Sequence, residues 1–211
     1  MRFGGPKGVI QKSSRDIASP SSRHSSGLEQ FCSMLENSDN LSILDMSGAS
    51  QANVSFITGH GHRISSDDAI GTMQQCFGDD FYTNQQAASN AYRFLEQTLT
   101  FPDAAFDGAL VWDTLQFLVS PLLEDTVAKL FRVLQPGALM LGFFNADEKL
   151  TQTPVYSYRI QDSKTLLQTP RAGPQHCQYF NNRMLEKIFE KATSIKFFLT
   201  RGAQREVIVR R

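Results

Sequence analysis

The order of apolar runs and turns predicts an α/β fold with a doubly wound, mostly parallel sheet and an antiparallel C-terminal strand. Residues 41–68 are predicted to form a strand, a tight turn, a helix and a second strand. Residues 101–145 are predicted to form a strand, a helix and a strand, and the apolar runs at 195–199 and 206–209 a closing antiparallel hairpin. The chain has 211 residues, 41% of them hydrophobic, which suits one sizeable core and is too short for two domains of typical size.

Small and acidic residues stand where two of the predicted strands end. The first strand stops at Asp45, small residues dominate the following turn, and the second strand, opened by Ile64, stops at Asp67 and Asp68. In nucleotide-binding α/β units, the first turn lets a ligand approach the backbone, and the acid after the second strand accepts hydrogen bonds from ribose hydroxyls. The spacing between Asp45 and Asp68 fits that arrangement.

The segment 101–145 contains a second pair of strands. Residues 108–112 form an apolar strand, and residues 122–134 carry apolar side chains at helical spacing. Pro136 and Gly137 are expected to end that helix, because proline cannot continue a helix and glycine supplies a turn. A buried strand over residues 138–144 follows.

Residues 44–49 resemble motif I of the class I S-adenosylmethionine (SAM) dependent methyltransferases, in which an acid precedes alternating glycines. Asp45 matches the acid, but Ser47, Ala49 and Gln51 stand where glycines are expected, and Gly48 is one position out of phase. Residues 101–145 are similar to the fourth strand, the following helix and the fifth strand of that family. The resemblance runs from about Leu28 to the C-terminus. It implies a Rossmann-like fold, SAM as cofactor, and methyl transfer to an acceptor that the sequence does not identify.

The resemblance implies a cofactor crevice at the carboxyl ends of the first, second and fourth strands. Its candidate residues are Asp45, Ser47, Gly48, Ala49, Asp67, Asp68, Glu96, Gln97, Trp112 and Asp113. Methyl transfer from a sulfonium is a direct displacement, so alignment of donor and acceptor supplies most of the acceleration. No nucleophile and base pair is required, and no hydrolytic spacing of Ser, His and Asp is found. No catalytic residue is assigned from the sequence.

The acids of this set have alternative roles. Asp45 either contacts the amino group of the cofactor or fixes the turn through backbone N–H groups. Asp67 and Asp68 are adjacent at a strand end, so only one of them can face the crevice. Asp68 is the favoured ribose ligand, Asp67 is the alternative, and a solvated strand end is the third interpretation.

The other candidates also have structural interpretations. Residues 91–99 are expected to hold what remains of the third strand, with Glu96 and Gln97 either meeting the adenine or forming an exposed helical pair. Trp112 either lines the acceptor pocket or belongs to the core, which is favoured. Asp113 orients the acceptor or caps the following helix.

Composition excludes several classes of function. The 21 basic and 21 acidic residues cancel, so no general affinity for nucleic acid or for an anionic membrane is expected. Cys32, Cys76 and Cys177 are far apart, which argues against a disulfide framework and a zinc site and predicts a reducing cytoplasm. His60 and His62 lack a third metal ligand. No apolar stretch reaches the roughly 20 residues that span a bilayer.

The N-terminal residues 1–26 are rich in Ser, Gly and Pro with scattered basic residues, and are predicted to be a disordered tail. The tail is either a basic arm that contacts a partner or a solvated segment without a role. The ordered domain is predicted over residues 27–211, because Leu28, Phe31 and Leu35 repeat at helical spacing.

The region after the fifth strand is predicted to contain little regular structure before a final helix. Residues 146–169 are expected to form a polar connection, and residues 171–174 to be irregular. Asn181 is expected to cap a helix.

Two other functional hypotheses stand beside methyl transfer. A methyltransferase-like protein that has lost its cofactor would serve as a binding or scaffold protein. A dinucleotide oxidoreductase is disfavoured, because no GxGxxG motif is present.

Overall fold

The computed structural model describes residues 19–198, 200 and 203–211. Their strands are β1 (Ser21–His24), β2 (Ser42–Asp45), β3 (Arg63–Ser66), β4 (Phe106–Trp112), β5 (Leu134–Asn145), β6 (Gln152–Asp162), β7 (Thr165–His176), β8 (Ser194–Phe198) and β9 (Gln204–Arg210). Their helices are α1 (Ser26–Glu36), α2 (Gln51–Gly59), α3 (Ala69–Phe77), α4 (Phe81–Asn84), α5 (Ala88–Gln97), α6 (Leu122–Val133) and α7 (Asn182–Ile188). A 3₁₀ turn covers Thr114–Phe117.

The central sheet has six strands in the order β3-β2-β4-β5-β9-β8. Strands β3, β2, β4 and β5 pair in parallel, and β9 is antiparallel to both of its neighbours. The predicted fold class, a doubly wound and mostly parallel sheet with an antiparallel C-terminal strand, is therefore confirmed. The predicted terminal hairpin is β8 and β9; Leu199 lies outside the described residues.

Apolar side chains cover both faces of this sheet. On one face, the core contains Phe31 of α1 and Ile57 of α2. On the other face it contains Met73 of α3, Phe94 of α5 and Leu130 of α6. Strand β4 is buried on both faces, which explains its continuous apolar sequence. Among the described residues, no helix is long and apolar enough to cross a membrane.

A second sheet, of order β1-β7-β6, was not predicted. The expectation of a polar connection at 146–169 and an irregular segment at 171–174 is wrong, because β6 and β7 form a long antiparallel hairpin there. Its core-facing side chains, Tyr158, Ile160 and Leu166, pack on α1 and the central sheet. Pro154 lies next to a register shift of the hairpin, where the regular ladder is already interrupted, so this proline is compatible with the strand.

The ordered domain begins earlier than Leu28. Residues 21–24 pair with β7, and the hydroxyl of Ser25 accepts the Leu28 N–H at 3.0 Å to cap α1. The predicted boundary is thus wrong for residues 21–26, because backbone pairing and a helix cap need no apolar periodicity. Of the rest of the predicted tail, residues 1–18 lie outside the described residues, and residues 19–20 directly precede β1.

Residues 91–99 do not form the predicted third strand. They belong largely to α5, because Ala91, Phe94 and Leu95 have the spacing of one helix face. Strand β3 consequently forms an edge of the described central sheet. The final helix begins as predicted, with the Asn181 side chain accepting the Met184 N–H at 2.9 Å.

Candidate functional site

The turns after β2 and β3 are hydrogen-bonded to each other at the carboxyl edge of the sheet. The Asp67 N–H donates to the Asp45 carbonyl at 2.8 Å, and the Gly48 N–H donates to the Asp67 carbonyl at 3.2 Å. Gly48 has a φ of +85°, and a Cβ atom there would lie 3.2 Å from Cγ of Asp68. This position therefore requires glycine, and it brings the backbone of the first turn against the Asp68 side chain.

The Asp45 carboxylate is fully buried and accepts four hydrogen bonds. The donors are the Ser47 N–H at 3.0 Å, the Ser47 hydroxyl at 2.9 Å, the Asn53 amide at 2.7 Å and the Trp112 indole N–H at 2.7 Å. Burial raises the pKa of Asp45, and the hydrogen bonds partly offset this rise. These contacts correspond to the interpretation in which Asp45 fixes the turn.

Asp67 and Asp68 point in different directions. The Asp67 carboxylate accepts the Leu99 N–H at 2.6 Å, away from Gly48. The Asp68 carboxylate lies beside Gly48 and accepts the Gly71 N–H at 2.9 Å, which caps α3. Asp68 therefore faces the first turn and Asp67 does not.

Arg171 of β7 reaches across the crevice to Asp68. Its guanidinium donates to the two carboxylate oxygens at 2.7 and 2.5 Å, and to the Ser47 carbonyl at 3.2 Å. Burial raises the pKa of Asp68, but the Arg171 guanidinium and the Gly71 N–H outweigh burial and lower it. Sequence reasoning missed Arg171, because only the fold of the hairpin brings it to Asp68.

Trp112 is the last residue of β4, Asp113 follows it, and both are buried. The Trp112 ring stacks on Tyr158 at 5.1 Å between centroids, which corresponds to the core interpretation. Asp113 occupies the N-cap position of the 3₁₀ turn, but its side chain makes no cap hydrogen bond. Burial raises the pKa of Asp113 to about 7, against the lowering influence of the Tyr158 hydroxyl and the Arg23 charge.

A groove of about 400 Å³ lies between the first turn and strand β6. It is lined by Ser47, Gly48, Ala49, Ser50, Gln51, Ala52, Ser157, Tyr158 and Arg159. Ser50 stands at the N-cap of α2 but its side chain makes no cap hydrogen bond. Volumes of this order are typical of small-molecule sites. The groove thus joins three predicted residues, Ser47, Gly48 and Ala49, to hairpin residues that were not predicted.

Other predicted residues lie elsewhere. Glu96 and Gln97 are exposed on α5 and do not line the groove, and neither do Asp45, Asp67, Asp68, Trp112 and Asp113. Both ring nitrogens of His62 bond to backbone atoms, the Leu41 N–H at 3.2 Å and the Leu35 carbonyl at 2.9 Å. The described part of the chain contains no group of three or more His, Cys, Asp or Glu residues placed to hold a metal ion.

No protein-family model matches the sequence, and no curated protein matches it. Solved structures do match. A SAM-dependent methyltransferase from Methanosarcina mazei has a TM-score of 0.50 and 14% identity, over 85% of this chain and 96% of that one. An N1-methyltransferase of 1,6-didemethyltoxoflavin from Burkholderia thailandensis, solved with S-adenosylhomocysteine, has a TM-score of 0.47 and 12% identity, over 88% and 78%.

The likeness to the Methanosarcina protein spans nearly the whole of both chains, and at 14% identity it bears on the fold. The strand order and the reversed β9 lead to the same assignment. The chain has the Rossmann-like fold of class I SAM-dependent methyltransferases.

Proposed function

We propose that the protein binds SAM at the carboxyl edge of its central sheet and transfers the methyl group to an acceptor. The observation that carries this proposal is the groove of about 400 Å³ lined by the turn that resembles motif I. In open α/β sheets, ligands bind outside the carboxyl ends of the strands, where this groove lies.

The residues around the groove suit the chemical groups of SAM. The side chain of Ser50 makes no cap hydrogen bond to α2. The first backbone N–H groups of this helix therefore favour the binding of a carboxylate. Ser47, Gly48 and Ala49 present a backbone that a ligand can approach closely. The Asp68 carboxylate, with its side chain 46% exposed, is available to ribose hydroxyls when Arg171 moves aside.

When bound, SAM supplies an electrophilic methyl group on its sulfonium. The protein's own contribution is positioning of the donor and the acceptor. Tyr158 and Trp112 are stacked in the core beside the groove and exclude water from that side.

A second candidate function is that of a methyltransferase-like binding or scaffold protein. It is favoured by one specific observation, the occupation of both Asp68 oxygens by Arg171. The first turn also lacks the alternating glycines of motif I, which favours a protein that has lost its cofactor. In that case Asp68 and Arg171 are a permanent structural pair.

Thermal unfolding with SAM, S-adenosylhomocysteine and NAD separates these functions. A ligand that binds only the folded state stabilises it, by about 2.7 kcal/mol at a hundredfold excess over its dissociation constant. We expect the two SAM-type ligands to raise the melting temperature and NAD to leave it unchanged. No shift at millimolar SAM or S-adenosylhomocysteine would favour the scaffold function, and a shift with NAD alone would favour an oxidoreductase.

A further inference from the structure

We propose that Arg171 is an internal latch that competes with the cofactor ribose for Asp68. This inference rests on the proposed function, because it concerns access to the same site. The latch closes when the guanidinium pairs with the carboxylate, and it opens when the Arg171 side chain swings away.

The competition follows from the contacts of Asp68. Both of its oxygens accept from Arg171, at 2.7 and 2.5 Å, and one of them also accepts the Gly71 N–H. A carboxylate that holds a bidentate guanidinium has few free positions for ribose hydroxyls. The bond from Arg171 to the Ser47 carbonyl places the same guanidinium against the turn that lines the groove.

The surroundings hold Arg171 in this position without locking it. On the same strand, the Gln175 amide donates to the Asp79 carbonyl at 2.9 Å, and its oxygen accepts the Phe81 N–H at 3.1 Å. These bonds fix β7 over the α3–α4 loop. The ion pair itself is partly exposed, with side-chain exposures of 25% for Arg171 and 46% for Asp68. Exposed ion pairs contribute little to stability, so a ligand can displace this one.

The motion is confined to the Arg171 side chain. Further along the hairpin, Tyr158 and Leu166 have no exposed surface and belong to the core on the face of the central sheet that packs α1 and α2. Movement of the whole hairpin would open that core, whereas rotation of one arginine does not. The latch therefore consists of the Arg171 side chain, which rotates while strand β7 stays in place.

The test compares S-adenosylhomocysteine binding by calorimetry in the full-length wild type, Arg171→Ala and Arg171→Lys. Lys164→Ala is the matched control, because it removes an exposed positive charge from the turn of the same hairpin. Arg171→Ala is expected to tighten binding by roughly twofold to fivefold, the range that an exposed ion pair allows. Arg171→Lys keeps the charge but not the bidentate geometry, so an intermediate affinity is expected. Lys164→Ala should bind as the wild type does.

Each outcome decides the proposal. Tighter binding in Arg171→Ala than in wild type, with Arg171→Lys between them and Lys164→Ala unchanged, supports the latch, as does binding in Arg171→Ala only. Equal or weaker binding in a folded Arg171→Ala overturns it while leaving the proposed function intact. If Arg171→Ala does not fold, the same comparison is made with Arg171→Lys. Failure of every protein to bind at millimolar ligand overturns the proposed function and the latch together.

Discussion

The indole N–H of Trp112 donates a hydrogen bond of 2.7 Å to the Asp45 carboxylate. Through Asp45, which also binds the Ser47 N–H and hydroxyl, the indole is connected to the turn that lines the groove. Trp112 is the sole tryptophan of the chain. Its fluorescence therefore reports on the candidate site without any label.

The first prediction uses this reporter. Titration with S-adenosylhomocysteine should change the emission of Trp112 in a saturable way, because Tyr158, stacked on the indole, lines the groove. The dissociation constant should agree with the calorimetric one. Free tryptophan at the same absorbance is the control for inner-filter effects and should show no saturable change. Binding detected by calorimetry with no change in emission would place the ligand away from this groove.

A second prediction concerns the stability of the turn. Asp45→Asn replaces a buried carboxylate that accepts four hydrogen bonds with a neutral amide. The NH2 group of this amide is a donor, and it would face groups that are themselves donors. The free energy of unfolding should fall by about 1.5–3 kcal/mol, the range for hydrogen bonds to a charged group. Urea unfolding measures this loss. Asp107→Asn, where one oxygen accepts the Ser42 N–H at 2.8 Å, is the matched control with a smaller expected loss.

A third prediction follows from the raised pKa of Asp113. The unfolded chain releases this proton near the ordinary aspartate value of about 3.9, whereas the folded protein holds it until about pH 7. Between these values the folded state binds more protons, so the contribution of Asp113 to stability is full below about pH 4 and is lost as pH rises to 7. The loss is on the order of 4 kcal/mol.

Urea unfolding of wild type and Asp113→Asn across this pH range checks that dependence. The amide does not titrate, so the variant should gain stability relative to wild type as pH rises, and the difference should level off above neutral pH. Other carboxyl groups cancel in the difference between the two proteins. A difference that stays constant from pH 4 to pH 8 would show that the pKa of Asp113 is not raised.

A fourth prediction concerns the N-terminal strand. Arg23 donates to the fully buried Glu206 at 2.5 Å, and Glu206 also accepts from the Ser25 hydroxyl at 2.9 Å. Arg23→Ala should lower the free energy of unfolding by about 2–3 kcal/mol, somewhat less than for a fully buried pair because Arg23 is partly exposed. Ser22→Ala on the same strand removes only an exposed hydrogen bond and should change stability little.

Truncation tests where the ordered domain begins. Removal of residues 1–18 is expected to leave the melting temperature nearly unchanged, as the composition of that segment predicts. Removal of residues 1–24 should lower it markedly, because β1 and the Arg23–Glu206 pair are lost. Equal melting temperatures for the two truncations would contradict the role given to β1.

The central sheet could be predicted from sequence because its strands carry local signals. Strand β4 is a buried apolar run, and Pro136 and Gly137 lie within three or four residues of the end of α6 at Val133. Strand β5 nevertheless begins at Leu134, before the proline, because Leu134 already pairs with Phe106 of β4. A register shift in this pairing follows, between Phe106 and Gly108. Pattern thus locates such elements better than it locates their ends.

Local sequence signals could not predict the β6–β7 hairpin or the Arg171–Asp68 pair. Residues 146–176 mix prolines, polar residues and aromatics, and their strand character depends on packing against α1 and α2. Arg171 and Asp68 are 103 positions apart, and nothing local to either residue indicates the pair. Asp45 and Asp68 could be singled out because parallel strands bring their carboxyl ends to one edge.

The most direct measurement is calorimetric titration of wild type, Asp68→Asn and Asp80→Asn with S-adenosylhomocysteine. Asparagine caps helices about as well as aspartate, so Asp68→Asn should retain the cap of α3 while losing the carboxylate. Asp80→Asn makes the same change at the cap of α4; Asp68, and not Asp80, lies beside Gly48 of the turn that lines the groove. We predict measurable binding by wild type and Asp80→Asn, and binding weaker by roughly tenfold to a hundredfold in Asp68→Asn. No binding by wild type at millimolar ligand, or equal affinity in all three proteins, would contradict a SAM site at Asp68.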